Sequence, residues 1–258
     1  MTSTQTIEEL SAQCAAKYGI TREMIDHAER WTETDGDLEG LSEERVRGIL
    51  DMRFGAIAVD TPRSELWHTP DTIDVIEDIP YLPDGGYDTE AGQCRGHLLD
   101  LYLPHDAVLR CGHTLPVYID IHGGGFTYGY KELNRNFNVH LAETGFAVFS
   151  LNYRPAPQTD LRGQLADVQA ALRWIKAHLT DYPVNPNAVF LTGDSDRSLR
   201  SVRFPWFPTM RNCRHRTPER HRRNQCPKAH PRRMRPRLRH CFQSPTSAWS
   251  TRRLPNRR

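Results

Sequence analysis

Long apolar runs are missing from this sequence of 258 residues. No stretch approaches the roughly 18 consecutive apolar residues that a membrane-spanning helix needs. The start MTSTQTIEEL also has neither the basic region nor the apolar region of a signal peptide. We therefore expect a chain without a membrane span and with a cytoplasmic location.

Paired cysteine motifs are missing as well. The six cysteines include no C-x-x-C pair and have no regular spacing, which favours free thiols in a reduced compartment. Some cysteines and histidines of the C-terminal part invite a zinc assignment, but their spacing matches no closed ligand set: Cys213, His215, Cys226 and His230. No metal site is expected.

Acidic residues almost disappear after residue 196. Residues 197–258 hold 19 Lys and Arg against a single acid, Glu219, and they contain no Asp, Gly, Tyr or Ile. Residues 1–196 hold 15 Lys and Arg against 31 Asp and Glu. The net charges of −16 and +18 nearly cancel in the formal total of +2, so the average hides two segments of opposite composition.

Residues 1–71 are predicted to form a helical extension. Thr6 and Glu9 have the spacing of a capping box, which is typical of the start of a helix. Further helices are expected to begin near Thr21 and after Ser42. Two interpretations stay open, because these helices either only pack against the body of the protein or form a lid over a pocket.

Residues 72–196 alternate between short apolar strands and helices. We predict strands at residues 74–79, 98–103, 117–121, 146–151 and 188–192. One helix is predicted at residues 133–144. A second is indicated by a continuous apolar stripe of Leu161, Leu165, Val168, Leu172, Ile175 and Leu179. This alternation is typical of an α/β fold with a parallel-rich central sheet and flanking helices.

A glycine-rich turn directly follows the strand at residues 117–121. It reads His122-Gly123-Gly124-Gly125-Phe126. Consecutive glycines allow the backbone to turn sharply and to bring N–H groups close to a substrate. Such donors stabilise the oxyanion that forms during acyl transfer.

A serine follows the strand at residues 188–192. The triplet Gly193-Asp194-Ser195 supplies the first half of the nucleophile elbow G-x-S-x-G, in which the serine lies on a tight strand-to-helix turn. The second half departs from the pattern, because Asp196 is followed by Arg197 in place of the second glycine. We expect this large cation to clash at the tight point of the turn or to force it open.

Together with the segment Leu151-Asn152-Tyr153-Arg154-Pro155-Ala156-Pro157 and the later Asp167, these motifs resemble the hormone-sensitive-lipase-like and carboxylesterase branch of the α/β-hydrolase superfamily. The resemblance covers roughly residues 72–195. It implies Ser195 as the nucleophile and the N–H groups of Gly124, Gly125 and Asp196 as oxyanion donors. It also implies that His122 buttresses the glycine turn, that a small-molecule ester is the substrate, and that no cofactor is needed.

The rest of the catalytic triad is missing from residues 197–258. In this fold the acid and the histidine follow the serine in sequence. The segment offers only Glu219 and four histidines, without strand and helix alternation: His215, His221, His230 and His240. A serine without a base is a poor nucleophile.

Three explanations of the Arg- and Pro-rich segment 197–258 stay open. It binds nucleic acid or another anionic surface, it is a disordered appendage, or it is an out-of-frame translation. If Asp196 is encoded by GAC and its A is removed, suitable codons for the following residues restore the amino-acid sequence Gly-Asp-Ser-Ala-Gly. This compatibility favours a frameshift inside the elbow motif.

The sequence thus predicts three segments: an N-terminal helical extension at residues 1–71, a partial α/β-hydrolase domain at residues 72–196, and a basic tail unlike a native domain at residues 197–258. We expect an ester hydrolase by ancestry that is inactive in this form. The alternative is a non-catalytic protein with a nucleic-acid-binding tail, although no specific nucleic acid is expected. The oligomeric state stays open.

Overall fold

The computed structural model describes residues 5–86, 96–107 and 114–194. These residues all belong to the first of two compact units, Met1–Arg214. The second unit, His215–Arg258, lies outside the described residues, and so does the whole predicted tail at residues 197–258.

Three helices form the N-terminal extension: α1 (Ile7–Tyr18), α2 (Arg22–Ala28) and α3 (Glu43–Ser64). The capping box is confirmed, since the Thr6 hydroxyl accepts from the Glu9 N–H and the Glu9 carboxylate accepts from the Thr6 N–H. The predicted starts of α2 and α3 are also confirmed, with Thr21 and Ser42 at the N-cap positions.

The body of the chain is a five-stranded sheet with helices between its strands. Its elements are β1 (Ile73–Pro80), a 3₁₀ turn (Pro83–Gly86), β2 (Leu98–Pro104), β3 (Leu115–Ile121), α4 (Arg135–Glu143), β4 (Ala147–Leu151), α5 (Leu161–His178), a second 3₁₀ turn (Leu179–Asp181) and β5 (Val184–Gly193). The strand order is β1-β2-β4-β3-β5. Strands β4, β3 and β5 are parallel, whereas β2 pairs in antiparallel fashion with both β1 and β4.

The two faces of the sheet are covered by different helices. Phe149 of β4 faces a core that includes Val168 and Ile175 of α5. Its neighbour Val148 faces the opposite side, where Val139 of α4 packs. Since successive residues of a strand point to opposite faces, both sides of β4 are buried, as the uninterrupted apolar run predicts.

The predicted α/β fold class is confirmed, but some local predictions need correction. Helix α4 begins at Arg135 rather than at residue 133, and β5 begins four residues before the predicted position 188. Leu161 does not belong to the buried stripe of α5, because it lies in the first turn of the helix and remains 52% exposed. No helix within the described ranges is both long and apolar enough to cross a membrane.

Candidate active site

The carboxyl ends of three parallel strands meet at one edge of the sheet. Ile121, the last residue of β3, pairs with Leu151 at the end of β4 and with Gly193 at the end of β5. The Asp194 N–H then donates to the Ile121 carbonyl at 3.4 Å. This register brings the glycine-rich turn after β3 next to the first half of the elbow after β5. In open α/β sheets, ligands bind at such an edge.

The glycine loop, residues 122–128, has an unusual backbone. Gly124 (φ +121°), Gly125 (φ +59°) and Phe126 (φ +68°) are consecutive residues with positive φ. A Cβ added to Gly124 would lie 2.1 Å from the Tyr128 carbonyl oxygen, so this position requires glycine. A positive φ at a bulky residue such as Phe126 costs about 1–3 kcal/mol, and it persists only where other contacts determine the conformation.

The hydrogen bonds of this loop leave four consecutive N–H groups, those of Gly123 to Phe126, without an acceptor among the described residues. The Gly124 carbonyl accepts from the Thr127 N–H at 3.2 Å and from the Tyr128 N–H at 3.1 Å. The N–H groups of Gly124 and Gly125 have no acceptor among the described residues. A pair of adjacent free N–H groups at the end of a central strand is the arrangement that can bind an oxyanion.

His122 lies beneath the loop and is 1% exposed. Its Nδ1 donates to the Gly123 carbonyl at 2.8 Å, and its ring stacks on that of Tyr153 at 4.3 Å between centroids. Burial lowers the pKa of His122 to about 4, although the hydrogen bond to Gly123 opposes this shift. The ring is therefore neutral near pH 7. These contacts connect the His122 ring to the glycine loop and to Tyr153.

The Phe126 carbonyl is held from two sides. It accepts from the Ala156 N–H at 2.8 Å and from the Gln164 side-chain amide at 2.8 Å. Ala156 lies in the segment after β4, and Gln164 lies in α5 and is 1% exposed. These bonds turn the Phe126 carbonyl into the body of the protein, and so stabilise the strained residue.

The helical extension contacts the glycine loop directly. Arg53 of α3 is fully buried and donates from Nε to the Thr127 carbonyl at 2.8 Å. The methyl group of Met52 lies where a Cβ on Gly125 would project. Tyr128 and Tyr130 belong to the same hydrophobic core as α1–α3. The extension is therefore part of the wall of this site and is packed firmly against it.

Asp194, the middle residue of the elbow triplet, is tied to a buried carboxylate by an asparagine. The Asn134 side-chain amide donates to Asp194 at 3.1 Å and to Asp120 of β3 at 3.2 Å. Asp120 is 2% exposed and also accepts from Asn138 at 3.1 Å. Burial raises the pKa of Asp120 to about 6, although the hydrogen bonds from Asn138 and Asn134 oppose this shift.

Ser195 and Asp196 lie outside the described residues, so their predicted roles stay predictions. The Asp167 carboxylate is occupied elsewhere, since it accepts from Arg154 Nε at 2.9 Å and contacts His97 Nε2 at 2.9 Å. His97 precedes β2, which stands three strand positions from β5 in the sheet order. Because neighbouring strands are about 4.8 Å apart, three strand positions separate the backbones by about 14 Å, and His97 is therefore not assigned as a base for the end of β5.

Sequence reasoning did not identify Arg53, Asn134 or Gln164 as parts of this site. Arg53 offered a signal, because it lies on the face of α3 that carries the buried residues Leu50, Phe54 and Ile57. A charged residue on an apolar helix face requires buried partners. Asn134 and Gln164 had no distinguishing signal, since polar residues near helix N-termini are common for reasons of capping.

The strand order, the helices on both faces and the free N–H groups after β3 define a partial α/β-hydrolase body. Residues 99–196 match the protein family described as BD-FAE. The predicted resemblance to the carboxylesterase branch of the α/β-hydrolases is thereby confirmed.

Individual relatives agree with this class. The chain is 35% identical over 102 residues to the probable carboxylic ester hydrolase LipM of Mycobacterium tuberculosis, covering 39% of this chain and 23% of the relative. It is 30% identical over 119 residues to Esterase LipQ of the same organism, covering 46% and 26%. The chain thus spans about a quarter of the length of these curated relatives.

A solved structure shows the same architecture. Esterase B from Lactobacillus rhamnosis, inhibited by a tributyrin phosphonate, superposes with a TM-score of 0.51 and 33% sequence identity. The match covers 60% of this chain and 47% of the esterase. Since less than half of the esterase has a counterpart here, the predicted incomplete fold is confirmed.

Proposed function

We propose that residues 72–196 form the nucleophile and oxyanion half of a serine-dependent carboxylic ester hydrolase. Ser195 is the nucleophile, and the N–H groups of Gly124, Gly125 and Asp196 are the oxyanion donors. The observation that carries this proposal is that the Gly124 and Gly125 N–H groups lie in a run of N–H groups without an acceptor among the described residues, at the sheet edge where β5 ends at Gly193.

The reaction of such a site is acyl transfer. The serine Oγ attacks the carbonyl carbon of a small-molecule ester while a base removes the hydroxyl proton, and the carbonyl oxygen becomes an oxyanion bound by the loop. Collapse of this intermediate breaks the bond to the alcohol and leaves an acyl-enzyme. Water, activated by the same base, then releases the acid. We assign no proton transfer to His122, because its ring is 1% exposed and stacks on the ring of Tyr153.

We further propose that this chain does not turn over esters in its present form. The acid and the base that follow the serine in this fold have no counterpart in the Arg- and Pro-rich segment. An out-of-frame translation beginning at Asp196 accounts for both the broken elbow and the lost partners. Resequencing the coding DNA around codon 196 tests this origin, and an unchanged reading frame would exclude it.

Hydrolysis of p-nitrophenyl butyrate tests the proposed inactivity. The full chain and its Ser195→Ala variant are expected to release p-nitrophenol at the same rate as buffer. Turnover by the full chain that Ser195→Ala abolishes would contradict the proposal that the triad is incomplete.

A chimera tests the proposed function itself. Residues 198–258 are replaced by the part of Esterase B that follows its own nucleophile elbow, with Asp196 and Arg197 changed to the Ala and Gly of the family pattern. We expect hydrolysis that Ser195→Ala abolishes. A soluble chimera with the expected circular dichroism and no hydrolysis would overturn the assignment.

A nucleic-acid-binding protein is the second candidate, because residues 197–258 carry a net charge of +18. A polycation binds any nucleic acid by counterion release, so salt-sensitive binding alone does not support this function. Sequence preference that persists at 0.2 M salt, roughly the upper end of the range in which nonspecific affinity collapses, would favour it. Binding that disappears over this range favours the esterase ancestry alone.

A further inference from the structure

Arg53 connects the helical extension to the glycine loop through all of its donors. Nε bonds the Thr127 carbonyl at 2.8 Å. The two terminal nitrogens bond the Asp37 carboxylate in bidentate fashion at 2.6 and 2.8 Å. Their remaining protons go to the carbonyls of Thr34 at 3.0 Å and Ala156 at 3.1 Å. Five N–H donors thus meet five acceptors on a side chain that is 0% exposed.

The acceptors of Arg53 belong to three separate segments. Thr34 and Asp37 lie in the loop between α2 and α3, Thr127 lies in the glycine loop, and Ala156 lies after β4. Only a planar guanidinium offers five donors in a fixed geometry, whereas a lysine ammonium offers three. The site is therefore specific for arginine.

Two of these acceptors bear directly on the strained part of the loop. The Thr127 carbonyl follows Phe126, whose φ is +68°. The Ala156 carbonyl belongs to the residue whose N–H donates to the Phe126 carbonyl. By holding both carbonyls, Arg53 braces the loop from each side of Phe126. The carbonyls of Gly124, Phe126 and Thr127 are then all engaged, and the Gly124 and Gly125 N–H groups are left free.

We propose that Arg53 is a positioning residue for the oxyanion loop, so that the N-terminal extension is a structural part of the candidate active site and not a detachable lid. This role rests on the proposed function, because the direction of these N–H groups matters only if they bind an oxyanion. Arg53 itself touches no reacting atom.

Backbone amide exchange of the full chain, followed by mass spectrometry of peptides, tests this role without any substrate. The double variant Arg53→Met with Asp37→Asn removes the clamp and leaves no unpaired buried charge. We expect peptides containing Thr127 and Tyr128 to exchange at least about tenfold faster, because their N–H groups depend on the loop turn. Peptides from α1 and β4 are expected to keep the exchange of the unmodified chain.

Arg47→Met is the matched control. Arg47 lies on the same helix, and its hydrogen bonds to described residues go only to Glu43, Gln5 and Gln13 of the extension, so its loss should leave exchange in the glycine loop unchanged. Unchanged loop exchange in the double variant would overturn the proposal. Acceleration spread equally over α1, α3 and the loop would also overturn it, since Arg53 would then only hold the extension together.

Arg53→Lys decides the matter if the double variant does not fold. A lysine keeps the charge beside Asp37, but its ammonium cannot reach Thr127 and Ala156 together with Asp37. We expect faster exchange confined to the loop, and exchange equal to that of the unmodified chain would refute the role. This readout is independent of the chimera: an inactive chimera with an Arg53-dependent loop would contradict the ester hydrolase function, and with it the oxyanion role of the loop, but not the finding that Arg53 holds the loop.

Discussion

The glycine loop after β3 and Asp194, which directly follows β5, lie at one sheet edge, yet their described contacts differ. The loop is held by Arg53 of the extension, by Ala156 after β4 and by Gln164 of α5. Asp194 at the end of β5 is held within the described residues by the Ile121 carbonyl and the Asn134 amide. The loop motif is complete in the sequence, whereas the elbow motif breaks at Arg197. The backbone of the glycine loop is therefore held by three distant segments of the chain.

The largest expected effect is a loss of stability on removing an apolar side chain, and this loss should be greater at the centre of the sheet than in β5. Phe149→Ala in β4 removes a fully buried ring and is expected to cost about 3–5 kcal/mol. Phe190→Ala in β5 removes a half-buried ring and should cost about 1–2 kcal/mol. Urea denaturation followed by circular dichroism measures both. Equal costs would show that β5 is as enclosed as β4 and would break the comparison.

Substitution within the glycine loop should have the next largest effect. Gly124→Ala combines a strained φ with a 2.1 Å approach to the Tyr128 carbonyl, and we expect a cost of about 3–4 kcal/mol. Gly145→Ala is the control, because φ is +99° there but nothing lies within 4 Å of the added Cβ. It should cost about 1–2 kcal/mol. Similar unfolding midpoints for the two variants would contradict the tight packing of the loop.

Lowering the pH should reduce the contribution of His122 to the stability of the fold. His122 has a folded pKa of about 4, below the ordinary value of about 6.5, so its contribution to stability is complete above pH 6.5 and is lost as the pH falls toward 4. The loss amounts to at most about 3 kcal/mol. We expect the difference in urea midpoint between the unmodified chain and His122→Asn to shrink over this range.

The contribution of Asp120 to stability changes with pH in the opposite direction. The effect of His122 must therefore be measured as a difference between the unmodified chain and His122→Asn. Its folded pKa of about 6 lies above its ordinary value, so its contribution is complete at low pH and is lost as the pH rises through about 6. The pH profile of the unmodified chain alone would mix the two groups. A midpoint difference that stays constant from pH 7 to 4.5 would show that His122 titrates normally.

The smallest expected effect is a gain of stability. Gly48 lies inside α3, is exposed, and has nothing within 4 Å of an added Cβ. Gly48→Ala should stabilise the extension by about 0.5–1 kcal/mol through helix propensity. Thermal unfolding measures the change. A loss of stability would indicate that this face of α3 contacts a part of the chain outside the described residues.

Much of the fold was predictable because local chemistry determines it. The capping box at Thr6, the N-caps of α2 and α3, and the buried strand at residues 146–151 all follow from short-range patterns. The glycine loop was predictable for the same reason, since a run of glycines after a strand restricts the possible backbone. Leu161 was assigned wrongly because periodicity does not show where the covering surface ends.

The chain order by itself determined the class of this protein: strands and helices alternate, glycines follow β3, and a serine triplet follows β5. Only the tertiary structure decided that β3 lies between β4 and β5, which places those two motifs at one edge. It also decided that Arg53 reaches a loop 74 positions away in sequence. The physical reason is that a motif consists of neighbouring residues and is visible in the sequence. A buried hydrogen-bonding group, in contrast, is satisfied by any segment that the packing of the chain brings within about 3 Å.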